Sequence, residues 1–312
     1  MDRPFISICI PTYQRPHLLR KLLDSISIQT FRDFEIIIND NSPDDKVEQV
    51  VKMYIEHLPI NYQRNNPPTT GTENFNAVMK RANGEWIKLM HDDDWFATNN
   101  ALEQFSRKTG TNKKLIFSAY QNVFENGTAT QTMHLPSSWK NRILKDPNVL
   151  LANNVIGPPS VILLHNSIKQ EYDERLKWRV DLEFYIRVLL QEKEFEYIDK
   201  GLVNVGISDS QVTQSCINQP TVELPEGFIL LQKHGVNALK NIWVYDAWWR
   251  LLRNMDIKKN KQLQQYVPQQ WPITIQKMVK HLNMLPVSLL KIGPVSKLCM
   301  SISYLLNYNS IK

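Results

Sequence analysis

The stretch Gly84–Trp95, GEWIKLMHDDDW, decides the reading of the fold. Trp86 to Met90 has the length and apolar character of a short buried strand, and it runs directly into three successive carboxylates, Asp92, Asp93 and Asp94. Like charges side by side repel, so a folded chain keeps such a triplet where water or a cation neutralises it. The carboxyl end of a central strand in an α/β sheet is such a place, because ligand crevices open there. Taken alone, the triplet reads equally well as an acidic turn that caps a following helix. The flanking sequence separates the two readings.

Upstream, Phe5 to Ile10 (FISICI) is a β-branched apolar run stopped by Pro11, the first predicted strand. Pro16 suits the first turn of a helix, and Leu18, Leu19, Leu22, Leu23 and Ile26 follow at helical spacing. Phe34 to Ile38 is a second strand, ending at Asp40. Ser42-Pro43 is expected to start a helix carrying Val47, Val50, Val51, Tyr54 and Ile55. Ile60 to Gln63 gives a third strand, and Thr72 is expected to cap a helix through Phe75, Val78 and Met79 before Trp86 opens the fourth. Strands alternating with helices predict an α/β fold: a single Rossmann-like, mostly parallel sheet flanked by helices. The polar clusters Thr12-Tyr13-Gln14-Arg15, Asp40, Arg64-Asn65 and the Asp triplet then share one edge of that sheet.

Downstream, strands are expected within residues 114 to 133, a helix after Asp146-Pro147, and a strand from Val161 to Leu164 after the rigid turn Gly157-Pro158-Pro159-Ser160. Trp178 leads into an amphipathic helix with Leu182, Tyr185, Ile186, Leu189 and Leu190. Val203 to Ile207 reads as a strand, and from about Glu223 the chain reads as helices. Trp243, Tyr245, Trp248 and Trp249 fit a core better than a ligand platform.

Composition narrows the classes. Cys9, Cys216 and Cys299 are odd in number and lack metal-type spacing, as expected of reduced thiols in a cytoplasmic protein. No signal peptide is read before the first strand, and no apolar run approaches the roughly 18 residues of a spanning helix. The net charge of +6 is uneven: residues 221–312 hold 12 Lys or Arg against 4 Asp or Glu, and after Asp256 there are eight lysines and no acid. A basic tail with apolar residues suits an anionic surface.

The layout suits a nucleotide, yet neither G-x-G-x-x-G nor G-x-x-x-x-G-K-[ST] is present, so the phosphates need another counter-charge. A divalent metal held by carboxylates supplies one. Here the chain resembles glycosyltransferase family 2, the inverting enzymes with the GT-A fold, over roughly residues 5 to 215. ISICIPTYQR resembles that family's opening strand and P-T-Y-N-R turn, with Gln14 in place of Asn. IIINDNSPDD is similar to the base-recognising segment, and NGEWIKLMHDDDW to the variant D-x-D metal segment. WRVDLEFYIRVL resembles the later E-D segment, and SDSQVTQS a loop that follows it.

The resemblance implies a catalytic domain at residues 1–220, with a nucleotide-sugar half to about 97 and an acceptor half from 98, followed by a helical extension at 221–312. It implies Asp181 as catalytic base, and Asp93 with His91 as ligands of Mn²⁺ or Mg²⁺. His91 stands where the family more often has the first Asp, and imidazole suits manganese better than magnesium. The nucleotide sugar is expected at Pro11, Thr12, Tyr13, Arg15, Asp40, Arg64, Asn65, Asn74 and Asp92, and the acceptor at Gly157, Pro158, Trp178 and Gln211. The processive Q-x-x-R-W segment is absent, so one or a few additions are expected. The implied acceptor is a glycan or lipid-linked saccharide of O-antigen, capsule or lipopolysaccharide, met at the inner face of the cytoplasmic membrane.

Taken singly, Asp40 and Asp181 read as helix caps, His91 as a structural histidine, and Arg15 and Arg64 as surface ion pairs. In this order along one sheet edge they read as a site. The competing classes are a metal-dependent nucleotidyltransferase, which would bring a glycine-rich basic loop, and a nucleic-acid-binding protein, for which no binding module is present. Met284 to Leu306 reads as two short helices split at Gly293-Pro294. It fits either an anionic membrane or packing on the catalytic domain.

Overall fold

The computed structural model describes residues 3–208 and 211–311. The chain forms two compact units, one of Met1–Leu144 with Val155–Asp209 and one of Lys145–Asn154 with Ser210–Lys312.

The first unit is built on one eight-stranded sheet: β1 (Ile6–Thr12), β2 (Phe34–Asp40), β3 (Ile60–Arg64), β4 (Trp86–Leu89), β5 (Asp94–Phe96), β6 (Leu115–Phe124), β7 (Ile162–His165) and β8 (Glu196–Ile207), in the order β3-β2-β1-β4-β7-β6-β8-β5. The half from β3 to β4 is parallel, as the strand–helix alternation requires. β7 then runs antiparallel to both β4 and β6, β6 pairs parallel with β8, and β5 closes the order antiparallel to β8. The helices are α1 (Pro16–Ser27), α2 (Lys46–Lys52), α3 (Gly71–Lys80), α4 (Ala101–Ser106), α5 (Ser137–Lys145) and α6 (Val180–Glu192). The core is the apolar body of these strands, with Ile6, Ile8, Ile10, Ile36, Ile37 and Ile38 all fully buried, faced by Leu19, Leu22, Leu23 and Ile26 of α1.

Register gathers the polar strand ends into one row. Thr12 is the register partner of Asp40, and Asp40 of Arg64. β4 stops three residues short of β1, with Cys9 opposite Leu89, so the His91–Asp94 turn lies beside the extra length of β1. At the opposite end, Gly84 admits no side chain: a Cβ there would lie 2.7 Å from Ser7 Oγ, which accepts the Gly84 N–H at 2.8 Å.

Four local expectations are corrected. Asp94 starts β5 and the next helix begins at Ala101, so the triplet caps nothing. α2 starts at Lys46 rather than at Ser42-Pro43, because the Ser42 hydroxyl is taken by the Gln14 N–H (2.8 Å) and cannot cap; the helix ends by Lys52, leaving Ile55 exposed. α3 is capped by Thr70, whose hydroxyl accepts from Glu73 N while Glu73 answers at Thr70 N; Thr72 is buried and donates to Leu176 O. Asp146-Pro147 opens a five-residue 3₁₀ turn, Pro147–Leu151, in place of an α-helix.

The second unit is helical: α7 (Val212–Cys216), α8 (Pro220–His234), α9 (Ile242–Asn254), α10 (Asn260–Tyr266), α11 (Ile273–Asn283), α12 (Val287–Leu290) and α13 (Gly293–Asn307). Its core is aromatic. Phe228, Trp248 and Trp271 meet edge to face, and Tyr245 and Trp249 are fully buried, while Trp243 is partly exposed. Cys9 and Cys216 are buried and Cys299 half-buried, all as free thiols. No helix among the described residues is long and apolar enough to cross a membrane.

Candidate active site

The acidic turn after β4 is held by the turn after β1. Thr12 Oγ1 donates to Asp92 Oδ2 at 2.7 Å, and Tyr13 N–H points at the same oxygen from 3.4 Å. Arg15 lies across the turn, with Nη1 donating to Asp93 Oδ2 at 2.9 Å. Its Nη2 lies 2.5 Å from Asp92 Oδ1, close as an ion pair but out of hydrogen-bond alignment. Asp92 is fully buried, and burial outweighs Arg15 to push its carboxyl up to about 6. Asp94 is raised well above the carboxylate range, by burial and by Asp93 beside it; Ser160 and the Gly206 N–H (3.1 Å) work the other way.

Ser160, fully buried ahead of β7, ties the turn together. Its hydroxyl accepts from His91 N at 2.9 Å and hydrogen-bonds the Asp94 carboxyl, while its carbonyl accepts from Lys88 Nζ. Lys88 is a fully buried cation in β4, 4.8 Å from the Phe105 ring centre, and burial lowers its pKa to about 7. The His91 ring stacks on Phe75 at 5.0 Å, and burial keeps it below the usual histidine range.

One ligand atom from each of His91, Asp93 and Asp94 lies within 4.8 Å of the others. His91 Nε2 is buried and has no hydrogen-bond partner among the described residues. One imidazole and two carboxylates form a donor set that fits a divalent cation, manganese better than magnesium. The sequence reading gives Asp93 and His91 as ligands; the structure adds Asp94, from the same triplet, to the group that could hold an ion.

The other predicted residues fall around this turn. Pro11 is buried at the end of β1 and Tyr13 is exposed beyond it. Asp40 is fully buried; its carboxylate accepts from Ser42 N (2.8 Å) and from the Tyr62 hydroxyl (2.8 Å), holding a turn and capping no helix. Asn65 donates to Asn41 (2.8 Å) and Asn74 (2.9 Å), and Asn74 in turn donates to Asn39 O. Arg64 is drawn to the α2 side by Asp44 O (2.7 Å) and Glu48 (3.4 Å).

On the other flank, Asp181 lies in the first turn of α6, with Arg179 as the cap residue, and accepts from Leu182 N at 2.8 Å. Tyr120 links this flank to the acidic turn: burial raises its hydroxyl, and Asp181 and then Asp94 raise it further, so both carboxyls lie within electrostatic reach of one ring. Gly157 is buried at φ +109°, its carbonyl accepting from Tyr185 at 3.2 Å, and Pro158 leads into the turn that carries Ser160. Trp178 is half-buried under the Arg179 guanidinium. Gln211 stands at the start of α7 in the second unit, and Asp209 and Ser210 of the same loop lie outside the described residues.

Lys88, Ser160 and Tyr120 were missed from sequence. A lysine inside the run WIKLM was a legible signal; Ser160 and Tyr120 carried none.

The glycosyl transferase family 2 profile matches residues 7–171, which span β1, the acidic turn and β7. The chain belongs to that family. An uncharacterised glycosyltransferase of Methanocaldococcus jannaschii is 26% identical over 212 residues, 66% of this chain and 72% of that one. The GalNAc(5)-diNAcBac-PP-undecaprenol beta-1,3-glucosyltransferase of Campylobacter jejuni is 37% identical over 93 residues, 29% of this chain and 30% of that one. Among solved structures, S. aureus TarS 1-349 in complex with UDP-GlcNAc aligns with TM-score 0.62 at 14% identity, covering 98% of this chain and 91% of that one. The Pyrobaculum calidifontis mannosyltransferase PcManGT in complex with GDP-Man and Mn²⁺ aligns with TM-score 0.56 at 11% identity, covering 98% and 87%. These likenesses show the fold, which is GT-A.

Proposed function

We propose that this family 2 glycosyltransferase is inverting, metal-dependent and non-processive. It moves a sugar from a nucleoside-diphosphate sugar, with UDP as the carrier, to a hydroxyl of a glycan or lipid-linked saccharide during surface-polysaccharide synthesis. The observation that carries this reading is the convergence of Thr12, Tyr13 and Arg15 on Asp92, beside the His91, Asp93 and Asp94 donor set. The UDP-GlcNAc complex of TarS supports the donor class, and the name of the Campylobacter relative supports a lipid-linked acceptor, which we place at the inner face of the cytoplasmic membrane.

His91, Asp93 and Asp94 would hold Mn²⁺ or Mg²⁺, with Mn²⁺ favoured by the imidazole. When bound, the ion supplies charge neutralisation for the departing diphosphate. Arg15, already at the acidic turn, shares that task. Asp40, Thr12 and Tyr13 fix the nucleoside, so the anomeric carbon is aimed at the acceptor side. There Asp181 takes the proton from the acceptor hydroxyl as the oxygen attacks opposite the leaving group, and a single displacement inverts the anomeric centre. Gly157, Pro158 and Trp178 are assigned to the acceptor.

A thermal-shift screen of UDP, GDP and CDP, each with Mn²⁺ and then EDTA, tests the donor and metal assignments. We expect a manganese-dependent shift for UDP that is lost in Asp93→Ala. Asp181→Asn should keep that shift while sugar transfer falls by about 10²-fold or more. A UDP shift indifferent to Mn²⁺ and to Asp93→Ala would overturn the metal assignment, and undiminished turnover in Asp181→Asn would overturn the base.

A further inference from the structure

The last long helix of the chain is built inside out. In α13, Ser296, Met300, Ser303 and Asn307 face the interior and are at most 2% exposed. The polar three are bonded there: Ser296 to Trp249 Nε1 (3.1 Å), Ser303 to the Tyr245 hydroxyl (2.7 Å), and Asn307 to the same hydroxyl (2.8 Å). The opposite face carries Leu298, Ile302, Leu305 and Leu306 at 63%, 50%, 71% and 67% exposure. A helix on a water-facing surface turns its apolar stripe inward; here the stripe turns outward. Ile292, Leu289, Val287 and Met284, ahead of α13 in the chain, are exposed as well.

We propose that this face is a membrane-docking surface, seated in the interfacial layer of a bilayer that contains anionic lipid. Charge selects this occupant. Lys291 and Lys297 are exposed beside the apolar face, and after Asp256 the sequence holds eight lysines and no carboxylate side chain. A two-fold contact through this face would set two lysine-bearing segments without carboxylates of their own against each other, whereas anionic headgroups pair with them. Gly293-Pro294 breaks the segment into α12 and α13, each too short to span, so it lies in the interface rather than across it. Tyr308, 45% exposed, and the partly exposed Trp243, whose ring lies 5.9 Å from Lys297 Nζ, supply the amphipathic rings that favour the headgroup level. The placement does not depend on which donor or acceptor the enzyme uses.

The test is co-sedimentation of the full chain with phosphatidylcholine vesicles, with and without phosphatidylglycerol. The chain is expected to pellet with the anionic vesicles. The double variant Leu305→Ser/Leu306→Ser should lower the partition coefficient by about tenfold or more, with an unchanged circular dichroism spectrum because both side chains are exposed. Lys291→Gln/Lys297→Gln should keep the apolar contact but lower the preference for anionic lipid by roughly fivefold per lysine. The proposal is overturned if the full chain stays in the supernatant at low salt, or if the leucine pair binds as well as the parent. It is equally overturned if light scattering finds a dimer that the leucine pair dissociates while vesicles capture nothing. The Mn²⁺-dependent UDP response of the leucine pair should match the parent, so failure here leaves the transfer reading untouched.

Discussion

Replacing Ser160 by alanine removes one buried hydroxyl and leaves its carbonyl, and hence the Lys88 contact, in place. Two bonds are lost. The His91 N–H loses its acceptor at 2.9 Å, and Asp94 loses its hydroxyl donor. Leaving a buried N–H unpaired costs about 1–3 kcal/mol and the second bond about 1 kcal/mol more, so Ser160→Ala should lose roughly 2–4 kcal/mol. For a unit of this size that is a fall in Tm of about 5–12 °C. Stability alone does not test a role at the site, and Ser7 supplies the control. Ser7 is fully buried, accepts the Gly84 N–H at 2.8 Å and donates to the Glu35 carboxylate at 2.5 Å, the same pair of bonds at the other end of β1. Ser7→Ala should therefore match Ser160→Ala in stability and differ from it in function. The assay is the Mn²⁺-dependent Tm shift with UDP, taken relative to each variant's own ligand-free Tm, together with initial rates measured well below that Tm. We expect Ser160→Ala to weaken the Mn²⁺ response and Ser7→Ala to keep it. If the two variants lose the response equally, or neither does, Ser160 does not position the His91–Asp94 turn.

Two further outcomes follow from buried groups at the same site. Lys88 has a folded pKa of about 7 against 10.5 in the open chain, so between these values the unfolded state binds more protons and its contribution to stability rises with pH. Over that window the gain is on the order of a few kcal/mol, and urea midpoints of the parent should climb from pH 7 to pH 9.5 more steeply than those of Lys88→Met; parallel profiles would mean Lys88 does not titrate there. Gly157→Ala should cost on the order of 2–4 kcal/mol, since φ is +109° and the new Cβ would lie 2.6 Å from the Tyr120 ring. Because that ring lies within reach of both Asp181 and Asp94, turnover should fall further than stability explains, checked by rates normalised to the folded fraction from denaturation.

The parallel half of the sheet was readable because its elements announce themselves locally. FISICI, FEIII and WIKLM are short, mostly apolar runs between turn residues, each with one polar or charged residue inside it, and Pro16 marks a helix start where one occurs. The rest of the sheet was less readable because its pairing is non-local: β7 sits between β4 and β6, and no feature of ILLH announces antiparallel partners so distant in sequence. Capping residues misled for a related reason. Ser42 and Thr72 have the right chemistry for a helix start, but each hydroxyl is claimed by a tertiary partner, Gln14 N or Leu176 O, that sequence spacing does not reveal.

The same limit governs α13. Hydrophobic period tells which residues share a face, and Leu298, Ile302, Leu305 and Leu306 do share one; it does not tell which face turns inward. That choice is made by partners. The Trp249 N–H and the Tyr245 hydroxyl are both buried in α9 and both require hydrogen bonds, which Ser296, Ser303 and Asn307 provide and leucines could not. With the polar side fixed inward, the leucines are left outside by the helical repeat itself. Substituting Ser296 and Ser303 with leucine would thus strip the Trp249 N–H of its partner and leave the Tyr245 hydroxyl with Asn307 alone, without altering the exposed face. The sense of the helix is set in the core of the second unit, and the apolar surface is its consequence.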